Sequence, residues 1–167
     1  MSKDQKYPMT PAVRLLKEQK VDFTPHHYKY EEKGGTAVSS RELGVEEHIV
    51  IKTLIMERDE GGSAKQPLIV LMHGDKQVST KELARVLGVK SVAPCKPEVA
   101  DRHSGYQVGG TSPFGTRKAM PVYMEKTILD HDRVFINGGG RGFLISLDPR
   151  EIARVLKPTL VQVAIDT

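Results

Sequence analysis

Cysteine occurs once in this chain, at Cys95. An internal disulfide is therefore excluded, which suits a reducing, cytoplasmic setting. No apolar run approaches the ~20 residues that span a bilayer, so no membrane association is expected. The N-terminal stretch from Met1 to Met9 is polar, and no signal peptide is expected there. Internal repeats, low-complexity tracts and long linkers are also missing. Several reaction signatures are absent too. There is no Gly-x-Ser-x-Gly elbow. The six histidines (26, 27, 48, 73, 103 and 131) show no metal-ligand spacing, so surface or core-edge roles are expected for each and no metal or cofactor is expected. His26 and His27 are adjacent, and in a strand they face opposite sides. Gly138-x-Gly140-x-Gly142 follows a strand but precedes another strand, so it is not a dinucleotide fingerprint. Cys95 has no base beside it in any motif, and a structural thiol is expected.

What is present fits one domain over residues 1–167. Hydrophobic residues make up 38% of the chain and charged residues 28%, enough for a packed core under a charged surface. The net charge is +4, and its distribution is uneven. Between Lys76 and Lys118 there are eight Lys or Arg against three acids, while the rest carries 17 basic and 18 acidic residues. All of the positive excess thus lies in one segment. That hints at an anionic partner such as nucleic acid, although a solvated basic face is the plainer reading.

This basic segment ends in a glycine-rich stretch, His103-Ser104-Gly105-Tyr106-Gln107-Val108-Gly109-Gly110-Thr111-Ser112-Pro113-Phe114-Gly115. Gly and Pro disfavour helix interiors. The stretch reads as a helix stop at Gly105, a strand over Tyr106–Val108, and then a stiff loop. Gly109 and Gly110 permit close backbone approach or positive φ. Pro113 fixes one φ. Such a loop is either a tight turn at a barrel rim or an acceptor for an oxyanion or phosphate.

Thr10-Pro11 opens a first helix as N-cap and first helical residue, ending near Lys20. Phe23 to Tyr28 reads as an edge strand because of Pro25. Thr36 caps a short helix that stops at Gly44. Ile49 to Met56 is apolar on both faces and reads as a buried central strand. Gly61 to Gln66 is a polar hairpin loop, and Leu68 to Met72 a further strand. Ser79 and Glu82 form a capping-box pair for a helix that ends at Gly88. Val89–Ala93 reads as a strand and Pro97–Ser104 as a helix. Met120–Met124, Val134–Ile136, Phe143–Leu147 and Leu160–Ile165 read as strands. Asn137 to Gly142 is a turn, and Asp148-Pro149 opens a last helix. This order lacks regular βαβ alternation. It predicts an α+β fold, a largely antiparallel mixed sheet or partial barrel with helices packed outside.

Lys52 interrupts the most apolar strand. A lysine there needs water, an acidic partner or an anionic ligand, because an unpaired buried charge is costly. The structural alternative is a lysine that snorkels to a barrel mouth. With the hydroxyls of Thr53, Thr111 and Ser112 and two glycine-rich loops, Lys52 makes an unusual set. No nucleophile–base pair accompanies it. The set suits anion binding and oxyanion stabilisation, with the nucleophile supplied by water or by the substrate.

Ile51-Lys52-Thr53-Leu54, the run Ser104 to Gly115, and Gly138-Gly139-Gly140-Arg141-Gly142 together resemble the three signatures of the YbaK/EbsC family. Met9-Thr10-Pro11-Ala12 and Tyr28 fit as well, and the resemblance spans nearly the whole chain. It implies the fold of the editing domain inserted in bacterial prolyl-tRNA synthetases. It also implies trans-editing deacylation of mischarged aminoacyl-tRNA, Cys-tRNA(Pro) or another small amino acid on tRNA. By this resemblance Lys52 is the essential lysine that holds the tRNA end or its ester. Gly109 and Gly110 line the pocket and offer N–H groups to the ester carbonyl. Tyr28 and Thr53 border the aminoacyl group. Thr111, Ser112, Asn137, Gly138 and Gly139 lie on the substrate-binding loops. In the cysteine-specific branch the substrate's own thiol assists cleavage. Two places depart from the pattern. Gly35-Thr36-Ala37 stands where Phe-Gly-Asp is common, and Asn137 and Gly140 stand in for the Ser and Lys of a Ser-Gly-Gly-Lys-Arg-Gly loop. A smaller pocket wall would admit alanine or serine beside cysteine. The implied partners are the tRNA acceptor end and, as a candidate, prolyl-tRNA synthetase. Two other readings stay open: a non-catalytic module that binds tRNA or a synthetase, and a small-molecule hydrolase without tRNA affinity.

Overall fold

The computed structural model describes residues 6–62 and 64–166. Residues 1–5 of the polar N-terminal stretch, Ser63 of the expected hairpin loop and Thr167 lie outside the described residues.

Helix α1 (Pro11–Glu18) starts as its sequence dictates: Thr10 Oγ1 accepts the Val13 N–H at 3.0 Å, and Pro11 occupies the first turn. Its buried residues Ala12, Val13 and Leu16 recur at helical spacing. Enclosing a side chain such as Leu16 is worth roughly 1.5–3 kcal/mol. Strand β1 (Thr24–His27) follows, then helix α2 (Gly35–Leu43) and a 3₁₀ turn (Glu47–Ile49). The long antiparallel pair β2 (Val50–Asp59) and β3 (Gln66–His73) forms the centre. Then come β4 (Lys76–Val78), α3 (Thr80–Leu87), β5 (Ser91–Pro94) and α4 (Pro97–Ser104). The last third holds β6 (Val122–Glu125), a second 3₁₀ turn (Lys126–Asp130), β7 (Val134–Gly140), β8 (Phe143–Leu147), α5 (Pro149–Leu156), β9 (Thr159–Val161) and β10 (Ala164–Asp166). Ser79 and Asp148 cap α3 and α5 through their side chains.

The main sheet runs β1-β8-β7-β2-β3-β6-β9, with β5 pairing β2 off this path, and β4 and β10 form a separate pair. Pairings β1–β8, β7–β8, β2–β3 and β2–β5 are antiparallel, whereas β2–β7, β3–β6 and β6–β9 are parallel. This is the mixed α+β sheet expected from the sequence.

Alternation along β2 and β3 divides the core. Ile51, Ile55, Ile69 and Leu71 face a large cluster shared with α1, Tyr106 and Phe114. Met56, Leu68, Val70 and Met72 face the other way, under Leu83 and Ala84 of α3. Val50, on that second face, instead joins Phe135 and Leu144, beside Tyr28, Leu43 and Val45. The second face is thus covered in two patches.

Three expected elements differ. Tyr106–Val108 is not a strand. Tyr106 is buried as a plug, its hydroxyl donating to Phe114 O at 2.6 Å, and the chain turns at once as the Gly110 N–H donates to Gln107 O. Thr36 lies inside α2 rather than at its N-cap, where Gly34 stands. The final strand is broken between β9 and β10, because the buried carboxylate of Glu125 accepts the N–H groups of Val163 and Ala164 at 2.7 and 3.1 Å. Those donors are lost to the main sheet, and the chain crosses to β4.

Candidate functional site

Lys52 occupies the gap between the two patches of the second face. Val50 on one side packs under α2, and Leu54 and Met56 on the other pack toward α3. The lysine stem is half-buried and its ammonium donates to the Lys76 carbonyl. Burial pushes its pKa below the ordinary lysine value, while the carboxylates of Glu47 and Asp75 oppose that shift. The acidic field is fixed in place. Thr36 Oγ1 donates to Glu47 Oε2 at 2.6 Å and lies 3.2 Å from Gly74 O. Gly74 allows this convergence: a Cβ there would sit 2.6 Å from the carbonyl oxygens of both Glu47 and Val50.

Asn137 follows the end of the ladder beside β2. Val50 pairs Phe135 and Ile51 pairs Ile136 in the parallel β2–β7 ladder, which ends directly before Lys52 and Asn137. At this point β7 leaves regular pairing, and the Asn137 side chain takes over its hydrogen bonds. Oδ1 accepts the N–H groups of Gly139 and Gly140 at 2.6 and 3.0 Å. Nδ2 donates to Gly140 O at 3.1 Å and to Gly109 O at 3.3 Å. One side chain therefore ties the two glycine loops together.

The loops touch backbone to backbone. A Cβ on Gly110 would lie 2.8 Å from Arg141 N and from Gly140 C. Gly109 has φ +90° and faces Tyr30, whose hydroxyl would be 2.4 Å from an added Cβ. Arg141 Nε donates to Val108 O at 2.9 Å, and its guanidinium lies 5.1 Å from the centre of the Tyr30 ring. A cleft of about 250 Å³ opens between Pro11, Tyr106, Gln107, Gly110, Gly139 and Arg141. It is smaller than the ~300–1,000 Å³ of a drug-sized site, and so fits a small group.

Tyr28 sits on the Lys52 face, with its N–H on Gly142 O at 3.0 Å and its phenol pKa raised by burial. The structure thus joins Asn137 to Gly109 and Gly110 in the glycine loops, and sets Tyr28 beside Val50 on the face that carries Lys52. Thr53 pairs Leu71 and lies on the opposite face, where its Oγ1 is buried without a hydrogen-bond partner. Ser112 is fully enclosed, and its Oγ accepts the Phe114 N–H. Thr111 Oγ1 donates back to Gln107 O at 3.2 Å. Gly138 gives its carbonyl to Thr10 Oγ1 at 2.5 Å and packs against Phe143, and Gly139 packs against Thr10 and Tyr106. The Gly110 N–H is spent on Gln107 O, so close approach, rather than a free donor, is what this glycine contributes. Cys95 lies 3.9 Å from a Glu57 carboxylate oxygen, and its thiol is pushed up to about 11, chiefly by burial. It is a thiol, not a thiolate, at neutral pH.

Sequence reasoning missed several neighbours of the site. Glu47, Asp75, Tyr30 and Arg141 are ordinary surface letters until the fold places them. His48, His73 and His131 converge with ligand atoms within 4.8 Å of one another, from positions whose spacing carries no metal signal. A second hollow, of about 440 Å³ along α3 and β5, is lined by Lys81, Arg85 and Lys90; it lies within the basic segment.

The candidate site thus has two parts: a half-buried lysine in a gap on one face of the mixed sheet, and a small cleft between two interlocked glycine loops, lined by Pro11, Tyr106, Gly110 and Arg141 rather than by Lys52. The chain belongs to the aminoacyl-tRNA editing domain family, whose profile matches residues 31–155. It is 28% identical over 153 residues to an Enterococcus faecalis protein named as the Cys-tRNA(Pro)/Cys-tRNA(Cys) deacylase EbsC, covering 91% of each chain. It is 32% identical over 108 residues to a Thermodesulfovibrio yellowstonii proline–tRNA ligase, a match that covers 65% of this chain and 16% of the ligase. A solved structure described as a trans-editing enzyme for prolyl tRNA synthetase superposes with a TM-score of 0.78 at 17% identity, covering 95% of this chain and 99% of that one. Among the described residues no helix is long and apolar enough to cross a membrane.

Proposed function

We propose that this chain, acting as one editing domain, hydrolyses the aminoacyl ester of mischarged tRNA, with Cys-tRNA(Pro) or another small amino acid on tRNA as substrate. The observation that carries the reading is the Lys52 ammonium, half-buried in an apolar strand and set on the Lys76 carbonyl within the field of Glu47 and Asp75. The ladder of that strand with β7 ends directly before Asn137 of the glycine loops. Lys52 offers positive charge to the terminal phosphate or to the ester oxygen as negative charge develops there. A preorganised charge of this kind acts most strongly where water is excluded. Gly109 and Gly110 let the loop lie close against the ester, and Tyr28 borders the aminoacyl group. Thr53, Thr111, Ser112, Gly138 and Gly139 support the cleft walls. Since Cys95 is a protonated thiol, the attacking group is water or, for a cysteinyl substrate, its own thiol. No cofactor enters this scheme. The basic hollow of Lys81, Arg85 and Lys90 would hold tRNA phosphates, in a cytoplasmic setting with prolyl-tRNA synthetase as candidate partner.

A deacylation time course on tRNA(Pro) charged with cysteine, alanine or serine tests this. Release of one of these amino acids, abolished in Lys52→Ala, is expected. Binding of tRNA without any release would overturn the enzymatic reading and leave a non-catalytic binding module.

A further inference from the structure

The three converging histidines share Asp75 with the surroundings of Lys52, and no step proposed for the editing reaction uses them. His48 stands on the first 3₁₀ turn, His73 ends β3, and His131 follows the second 3₁₀ turn. Antiparallel pairing of Ile51 with His73 brings the first two together. Their rings stack with centroids 3.8 Å apart and planes 6° apart. His131 meets both edge-on, at 5.2 and 5.8 Å.

Hydrogen bonds fix which nitrogens carry lone pairs. His73 Nδ1 lies 2.8 Å from the His48 carbonyl oxygen, which only accepts, so Nδ1 holds the proton. His48 Nδ1 lies 2.8 Å from the Asp75 carboxylate and holds its proton for the same reason. In the neutral rings both Nε2 atoms then carry the lone pair. An imidazole whose far N–H is held by a carboxylate or a backbone carbonyl is the usual arrangement of a metal-ligating histidine. His73 is 1% exposed, and burial lowers its pKa, with the charges of His48 and His131 acting the same way. Asp75 bonds His48 and acts electrostatically on His73, Lys76 acts on Asp75 in turn, and Glu47, Asp130 and Asp132 flank His48 and His131 in the chain. Thr127 Oγ1 lies 2.7 Å from His73 Nε2, where its hydroxyl caps that lone pair.

We propose that His48, His73 and His131 form a binding site for a divalent transition metal of the zinc class, with three imidazole ligands and one position open to water. Three nitrogen ligands without thiolate suit Zn²⁺, Co²⁺, Ni²⁺ or Cu²⁺ rather than Mg²⁺ or Ca²⁺. Metal–nitrogen bonds of about 2.0–2.1 Å require the ligand atoms to draw closer than their present separation of up to 4.8 Å. A lone pair lies in its ring plane, so the stacked rings must also splay. His48 and His131, both partly exposed, supply that movement, and the Thr127 hydroxyl rotates away from Nε2.

The test uses the full chain, freed of metal and titrated with Co²⁺, whose visible absorption reports coordination number. The expected result is one Co²⁺ per chain with the bands of a four-coordinate site, displaced by Zn²⁺. Affinity should fall at least tenfold in His131→Ala and in His48→Ala, and about 10–100-fold in Asp75→Asn, the scale of a lost partner to a metal-ligating histidine. Thr127→Val, which removes the competing donor, should bind as tightly as the unaltered chain or more tightly. Zn²⁺ should raise the Tm of the unaltered chain but not of His131→Ala, since a ligand stabilises only the state that binds it. Absence of saturable Co²⁺ uptake, or uptake unchanged in both histidine variants, would overturn the site. Both readouts are taken without tRNA, so their outcome is separate from that of the deacylation assay.

Discussion

Replacing Lys52 by methionine removes a charge while keeping most of the apolar stem that fills the gap between the two patches of the sheet. Two opposite effects are expected. The first is on the reaction. A positioned group that stabilises developing negative charge is worth on the order of 100- to 1,000-fold in rate, about 2.7–4 kcal/mol, so Lys52→Met should lose activity on that scale. Lys52→Arg should rescue little, since a planar fork does not replace a compact ammonium in a small cleft. The second effect is on stability. Burial lowers the Lys52 pKa from its ordinary value, against the pull of Glu47 and Asp75. The unfolded chain therefore binds the proton more tightly than the folded one. By linkage, stability rises with pH between the folded-state pKa and the ordinary lysine value, and at neutral pH the ammonium opposes folding. Water at the half-buried ammonium screens this cost, so Lys52→Met should melt at the same temperature as the unaltered chain or slightly higher. The rate should also fall on the alkaline side at a pH below the titration of an exposed lysine. The assays are a deacylation time course on mischarged tRNA(Pro) across pH, with circular dichroism melts alongside. A wild-type rate in Lys52→Met would remove the ammonium from the chemistry. A collapsed melt would refute the charge argument and make the lysine a structural partner of Glu47 and Asp75.

Cys95→Ala should leave the deacylation rate within a few-fold of wild type, because the thiol is protonated beside Glu57; a thousandfold loss would reveal a thiolate mechanism. Binding of tRNA should weaken as salt rises, and the salt slope should shrink by about one in Lys90→Ala if that side chain meets a phosphate; filter-binding titrations at several salt concentrations measure both, and a flat profile would refute the basic hollow as the RNA contact. Asn137→Ala removes the acceptor of two N–H groups and the donor to Gly109 O. At about 0.5–1.5 kcal/mol per bond, loss of these three should cost roughly 1.5–4.5 kcal/mol in chemical denaturation. Asn137→Asp keeps the acceptor and loses the donor to the Gly109 loop, so its melt should recover more than its rate. Equal recovery of both would mean that the tie between the loops does not matter to the cleft.

Helix starts and stops were readable because they are local chemistry. Thr10-Pro11, the Ser79–Glu82 pair with Gly88, and Asp148-Pro149 each satisfy backbone groups within one turn, and the helices begin and end there. Expected strands failed where a distant side chain intervened. Glu125 takes the N–H groups of Val163 and Ala164 from 38 and 39 residues away, and no pattern within Leu160–Ile165 announces it. Tyr106 alternates like a strand residue, yet its ring is needed as a plug against α1, and the hydroxyl finds Phe114 O instead of a ladder partner.

The candidate site divides along the same line. Lys52 was visible because a single charge in an apolar strand is anomalous wherever the strand lies. Its setting was not visible, since the sign of its surroundings depends on Glu47 and Asp75, brought from a turn before β2 and a loop after β3. Thr53 shows the limit of adjacency in sequence: the residue next to Lys52 faces the opposite side of the sheet, so only one of the two can reach the same ligand. Asn137 joins the two readable motifs. It follows the end of the ladder with β2 and its amide reaches Gly109, so a substitution at 137 acts on both loops at once. That coupling is a property of one amide side chain at the point where a strand leaves its ladder. It explains how a serine-for-asparagine exchange in this loop would reshape the cleft without touching Lys52: a serine hydroxyl can still accept N–H groups, but it lacks the two-donor amide nitrogen that bonds the Gly109 and Gly140 carbonyls.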